Sequence, residues 1–263
     1  CQDKNIQLSC NDISPYDMAV MDAFYTLYKS GYQTFSLQTV IRVMSGNMDQ
    51  DITAQKIARL KESVEKLRLI LITIDCTDEL RARKLIKKEE TAKYRSYFLP
   101  VSSVEIQSGN QTVVEGYRLL ELPALYAYAE RIKQMISVPI ELLASTGGFL
   151  PDTDENIILK RYLLKRIARM KKEKATVYSR RIRYEWYDRK AQREKGMFAE
   201  LGYREEDFAS RSSWLNKRAK VHKVVKQILD AFRQAGYIAG YSETREGNTI
   251  TGVEILLGET TEK

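Results

Sequence analysis

The spacing of apolar residues divides the chain into amphipathic helices, most followed by short runs of strand character. The clearest such block spans residues 209–257. Within 210–236, Trp214, Val221, Val225, Ile228 and Phe232 recur at helical steps and predict one buried stripe. Arg211, Lys217, Arg218, Lys220, Lys223 and Lys226 fall between them, with no acidic residue before Asp230, so the outward face is cationic. Gly236 ends this helix, residues 237–241 read as a strand, Glu246-Gly247-Asn248 as a turn, and residues 249–256 as the returning strand. Helix, strand, polar turn and strand form the back half of a winged helix. The same pattern fits an amphipathic core helix beside an unrelated hairpin.

The first half repeats that order. Residues 1–13 read as a polar arm. Ser14-Pro15 supplies an N-cap and a proline at the first helical position, opening a helix with Met18, Met21, Phe24, Tyr25 and Tyr28 inward. After Gly31 a short bridging strand is predicted at Thr34-Phe35. Ser36 then caps a helix bearing Leu37, Val40, Ile41 and Met44, which Ser45-Gly46-Asn47 ends. Ile57, Leu60, Val64 and Leu67 predict a third helix over 52–68, with Gln55, Lys56, Arg59 and Lys66 outward. Strands follow at 69–74, 94–99 and 112–120, and Pro123 opens a helix reaching about residue 135. The connection 75–93 mixes Arg81, Arg83, Lys84, Lys87 and Lys88 with acidic residues, which fits either a wing that touches phosphates or a solvated loop.

Glycine, proline and small polar residues gather at 145–154, which predicts a linker between an N-terminal unit, 1–144, and a C-terminal unit, 155–263. In the second unit Ile158, Tyr162, Leu163, Ile167 and Met170 predict the buried face of a helix over 155–172. A strand is expected at 177–184 and a helix at 187–201, closed by Gly202. The resulting expectation is an α+β protein of two tandem winged-helix domains.

Composition sharpens this picture through charge. The 263-residue chain carries a formal net charge of +8, but 157–195 alone holds fifteen Lys and Arg against four Asp and Glu. The positive field therefore belongs mainly to the second half, as suits a polyanion-binding surface or a solvated, highly charged helix. No run is apolar enough to span a membrane. Three cysteines without a CxxC spacing, and a single histidine, argue against a disulfide framework or a zinc site and suit a reducing cytoplasm. The chain begins at Cys1, which is compatible with trimming of an earlier start or targeting segment.

With these elements in hand, the chain resembles the initiator Rep proteins of iteron-controlled theta-replicating plasmids over roughly residues 14–257. The resemblance rests on element order and on three local features. They are the first helix from Pro15 to Lys29, the run Lys160-Arg161-Tyr162-Leu163-Leu164 within 159–169, and the closing block 229–255 with Gly236-Tyr237-Ile238. It implies binding of double-stranded DNA at repeated origin sites, with the second domain as principal major-groove reader. The first domain would add DNA contacts and a homodimer interface, and host replication proteins would be further partners. Carried onto this chain, the reader comprises Arg211, Ser212, Ser213, Asn216, Lys217 and Lys220, with Lys223 continuing the cationic face. The counterparts in the first domain are Thr53, Gln55, Lys56 and Arg59. Arginine and asparagine can bond base edges in pairs, whereas lysine and serine suit phosphates.

Enzyme readings lack their residues. No GxxxxGK[ST] loop is present to cradle nucleotide phosphates, and one histidine cannot supply a relaxase metal site. His222 has no arginine three residues on, so the tyrosine-recombinase pattern fails as well. The expectation is a DNA-binding protein without catalysis, metal or cofactor. A transcriptional repressor needs the same groove chemistry, and a protein-interaction scaffold can use the same fold.

Overall fold

Ser14 accepts a hydrogen bond from the Asp17 amide at 3.2 Å while the Asp17 carboxylate accepts one from the Ser14 amide at 2.8 Å, so the first helix starts where its capping residues dictate. The same logic sets Ser36, Thr53, Thr153 and Ser210 as N-caps of the other main helices. The computed structural model describes residues 6–9, 12–49, 51–109, 111–131, 135, 138, 142, 150–151, 153–173 and 180–258. The chain is α+β and divides into two compact units, Cys1–Met135 and Ile136–Lys263. Most of the linker expected at 145–154, namely 145–149 and 152, lies outside the described residues.

The first unit runs β1 (Ile6–Leu8), α1 (Pro15–Lys29), β2 (Thr34–Ser36), α2 (Leu37–Ser45), α3 (Ala54–Leu69), β3 (Leu71–Asp75), α4 (Thr77–Ala82), β4 (Lys93–Tyr97), β5 (Val101–Ser108), β6 (Gln111–Leu119) and α5 (Ala124–Arg131). Val20, Met21 and Phe24 of α1, Val40 of α2, and Leu60, Val64 and Leu67 of α3 are fully buried. Met18, Tyr25 and Tyr28, expected inward, are only partly buried, because Val20, Ala23 and Leu27 take the centre of the α1 stripe. Two three-stranded antiparallel sheets complete the unit, in the orders β1-β3-β4 and β2-β6-β5.

The second unit runs α6 (Asp154–Lys172), β7 (Arg181–Arg183), β8 (Trp186–Asp188), β9 (Arg193–Lys195), α7 (Met197–Glu200), α8 (Arg211–Gln234), β10 (Gly240–Glu246) and β11 (Thr249–Leu256). Leu163 and Ile167 of α6, Phe198 of α7, Val221, Val225 and Phe232 of α8, and Val253 and Ile255 of β11 share one core. Each such buried side chain contributes roughly 1.5–3 kcal/mol, against about 0–1 for an exposed ion pair. Apolar packing therefore holds the unit together and the ion pairs orient its surface.

The two units share a sheet plan. In each, a short strand that follows the first helix pairs with the second strand of a later hairpin, giving β2-β6-β5 and β7-β11-β10. A glycine makes each pairing possible. A Cβ on Gly116 would collide with the Phe35 carbonyl oxygen, and one on Gly252 would sit 2.5 Å from that of Ile182. Both hairpins also shift register near the tip, where β6 and β11 each hold one more residue, Val113 and Thr251, than the partner strand.

That plan revises several expectations. The hairpin of the first unit that matches β10–β11 is β5–β6, and along the chain β3, α4 and β4 come between α3 and that hairpin. Ile6–Leu8, expected within a polar arm, is a strand because its three residues pair with 72–74. The connection 75–93 contains α4, and Arg81 and Arg83 are occupied by Glu90 and Glu79 within it. Residues 187–201 are not one helix: only Met197–Glu200 is helical, as α7, and β8 and β9 occupy the first part. Asp188 Oδ1 accepts from the Lys190 and Ala191 amides at 2.9 and 3.1 Å, which closes a turn where a helix would have to continue. Strand character at 237–241 starts only at Gly240, because the Tyr237 amide donates back to the Phe232 carbonyl at 2.8 Å. Within the strand expected at 177–184, residues 177–179 lie outside the described residues and β7 covers 181–183.

Candidate nucleic-acid interface

Helix α8 buries Trp214, Val221, Val225, Ile228, Leu229 and Phe232 on one side. At about 100° per residue, the side directly opposite is Ser212, Asn216, Ala219 and Lys223, with Lys220 at its margin. Small side chains at Ser212 and Ala219 leave Asn216 and the lysines as the groups that reach farthest. Ser210 caps the helix by accepting from the Ser213 amide at 3.1 Å. Ser210, Ser212, Ser213, Asn216, Lys217 and Lys220 line a solvent-open depression of about 480 Å³, with Phe208 at its side. Arg211 and Lys223 are exposed outside it. Leu215, which periodicity does not single out, is 52% exposed in the second turn and offers an apolar contact.

The cations of α8 differ in what they can do. Lys217 bonds Glu155 of α6 at 2.6 Å, Tyr203 donates to the same carboxylate at 3.0 Å, and the ammonium lies 4.7 Å from the Tyr203 ring centre. Burial alone would lower the Lys217 ammonium, yet hydrogen bonds to Glu155 and Tyr203 hold it above the ordinary lysine range. Its charge is spent inside the unit, so it positions α8 against α6 and is the weakest of the expected phosphate ligands. Arg218 pairs with Glu185 at 3.1 Å and Lys226 with Glu243. Arg211, Lys220 and Lys223 have no ion-pair partner among the described residues and present their charge to solvent.

His222 belongs to the core side of this helix. Its ring lies 4.0 Å from that of Tyr184, and its Nε2 is buried without a hydrogen-bond partner among the described residues. Burial, with the charges of Arg218 and Lys226 outweighing that of Glu243, pushes it down from 6.5 to about 4. It is therefore neutral at pH 7 and makes no cationic phosphate contact. Because the unfolded chain binds this proton more tightly, stability is fullest above pH 6.5 and falls as pH drops toward 4. Discounted for the solvent that the ring retains, the loss amounts to roughly 1–2 kcal/mol. The chain has one histidine, so its imidazole resonance is unique and should titrate near pH 4; a midpoint near 6.5 would contradict the buried placement.

In the first unit, Thr53, Gln55, Lys56 and Arg59 fall at the cap and in the first two turns of α3. Thr53 Oγ1 accepts from the Lys56 amide at 3.3 Å, which makes it a helix cap before anything else. The Arg59 guanidinium stands 3.8 Å from the Tyr16 ring centre. Gln55 is exposed and Lys56 half-buried. Glu62 and Glu65 occupy the outer face one and two turns on, so α3 lacks the uninterrupted cationic side of α8. Among the described residues no group of three or more His, Cys, Asp and Glu could hold a metal ion, and no helix is long and apolar enough to cross a membrane.

No family model matches the chain, and no curated protein matches it in sequence. Among the solved structures that resemble it are two of domains 2 and 3 of RctB. The selenomethionine derivative is 12% identical with a TM-score of 0.48, covering 96% of this chain and 90% of that one. The other is 11% identical with a TM-score of 0.45, covering 95% and 85%. Likeness at this level establishes neither a shared fold nor a shared activity.

Proposed function

We propose that both units are winged helices and that the chain is a sequence-specific double-stranded DNA-binding protein whose principal reader is α8. The observation that carries this is the exposed side of α8, where Ser212, Asn216, Lys220 and Lys223 lie opposite the core with Arg211 at the helix start. A helix of this kind fits the major groove, with asparagine and arginine on base edges and lysines on phosphates. The hairpin β10–β11, closed on β7, supplies the wing of the second unit. The element order further favours a replication initiator of a plasmid or related mobile element that binds directly repeated origin sites. In this reading it acts in the cytoplasm without catalysis or a cofactor, forms homodimers and engages host replication proteins.

Selection from random duplex DNA, followed by sequencing, tests the reading. A defined site should emerge, and affinity should fall steeply with salt. Asn216→Ala and Arg211→Ala should each cost about 1–3 kcal/mol on the selected site and relax preference at one base pair. Direct repeats of that site near the gene support an initiator, whereas a single inverted operator supports a repressor. No enrichment, with salt-insensitive affinity, would remove DNA reading and leave an interaction scaffold.

A further inference from the structure

The β8–β9 ribbon is not accounted for by the fold. Isolated two-stranded hairpins are marginal in water, and this one pairs with no other sheet among the described residues. Trp186 is 39% and Tyr187 50% exposed, so its two aromatic residues are not consumed by the core. The ribbon is nonetheless built firmly. Lys195 bonds Asp188 across the strands at 2.5 Å, and Asp188 also closes the turn. Tyr187 Oη donates to Gln192 at 3.1 Å. At its base the Phe198 amide donates to the Tyr184 carbonyl at 2.9 Å, anchoring both ends of the ribbon in the core.

What this scaffold presents is charge. Arg189, Lys190 and Arg193 are exposed at the tip, and none has an ion-pair partner among the described residues. Glu194 is the one acidic residue of the ribbon without such a partner among the described residues, since Asp188 is held by Lys195. The ribbon also leaves the core beside α8. Glu185, just before it, bonds Arg218, and the Tyr184 ring lies against that of His222, both on the flank of α8 next to Arg211 and Leu215.

We propose that the ribbon is a second DNA-binding element, in which Arg189, Lys190 and Arg193 contact the phosphodiester backbone next to the site read by α8. This rests on the DNA-binding reading above and adds to it a contact without base information. Three presented cations on a braced turn next to a groove-reading helix match a polyanion track, and exposed tryptophan and tyrosine suit the apolar faces of its sugars.

The test is a salt titration of duplex binding, on the selected site and on random duplex. It compares the wild type, the triple variant Arg189→Gln/Lys190→Gln/Arg193→Gln, and a charge-matched control, Lys165→Gln/Arg169→Gln/Lys172→Gln on α6. Every cation withdrawn from a phosphate should take about 0.9 off the slope of log K against log salt, so the ribbon variant should fall by roughly 2–3 and the control by much less. The ribbon variant should keep the wild-type base preference, which also shows that it folds. Ethylation interference should mark phosphates flanking the site in the wild type that no longer matter in the variant. An unchanged slope with an unchanged footprint, or an equal fall in the control, overturns the ribbon contact while leaving the α8 reader intact. If the wild type selects no site yet binds random duplex, the reader fails and the slope comparison still decides the ribbon. Failure of the wild type to bind duplex DNA at all overturns both.

Discussion

Replacing Asp17 by alanine should destabilise the first unit by about 3–5 kcal/mol, measured by denaturant unfolding. Asp17 is only 2% exposed, yet both of its carboxylate oxygens are engaged. Its Oδ2 accepts from the Ser14 amide and hydroxyl, both at 2.8 Å, and pairs with Lys66, while Oδ1 accepts from Ser63 at 2.5 Å. One carboxylate thus caps α1 and ties it to α3. Its removal leaves Ser63, itself buried, without its acceptor, and ends the capping box. Lys66 is about one-third exposed and can turn to water, which places the cost toward the lower end. Asp17→Asn should cost less, since the amide oxygen still accepts, and an equal cost for the two variants would mean that the charge facing Lys66, rather than the shape and the accepting oxygen, carries the contribution. Burial alone would raise the Asp17 carboxyl, but the bonds from Lys66, Ser63 and Ser14 hold it below the ordinary 3.8. The stability it confers is therefore complete above that value and disappears as pH falls through the lower folded value.

Gly252→Ala should destabilise the second unit on the order of 3 kcal/mol, the upper range for overpacking, because the new methyl meets backbone rather than a side chain able to move. It would lie 2.5 Å from the Ile182 carbonyl oxygen and 3.0 Å from the Arg183 Cα. Strand β7 would have to part from β11, which loosens Ile182 and Val253 in the core. Gly116→Ala should act alike in the first unit through the Phe35 carbonyl. Gly247→Ala, with nothing within 4 Å and only a φ of +58° to oppose it, should cost about 1 kcal/mol. If thermal unfolding ranks the three equally, the close approach of strands is not what fixes the sheets.

These two sites also show how far the sequence can be read. Caps and apolar stripes are local, so Ser14 and Ser36 announce their helices, and the stripe of α8 from Trp214 to Phe232 is buried as its spacing implies. The outward cations of α8 follow from the same periodicity. Partnership does not, because Lys217 meets Glu155 and Tyr203 only once α6, α8 and the turn before α8 are assembled. Strand pairing is likewise non-local. Nothing around Gly116 shows that Phe35 will cross it, so strand order alone points to the wrong hairpin as the counterpart of β10–β11. The ribbon is hidden for a similar reason: its cations resemble a solvated helix until Asp188 is seen to close the turn.

The extra residues Val113 and Thr251 bear on how the sheets end. Both sheets are open, with β5 and β10 as outer strands whose free backbone groups could template the strand of another molecule. A bulge in the neighbouring strand bends and twists the hairpin near its tip, so a flat incoming strand cannot stay in register along the edge. The Thr251 carbonyl also accepts from the Tyr184 amide at 2.9 Å, which ties the irregularity to the core and makes it part of the fold. The same residue that lets the hairpin curl thus disfavours edge-to-edge strand addition along β10 when many copies crowd together.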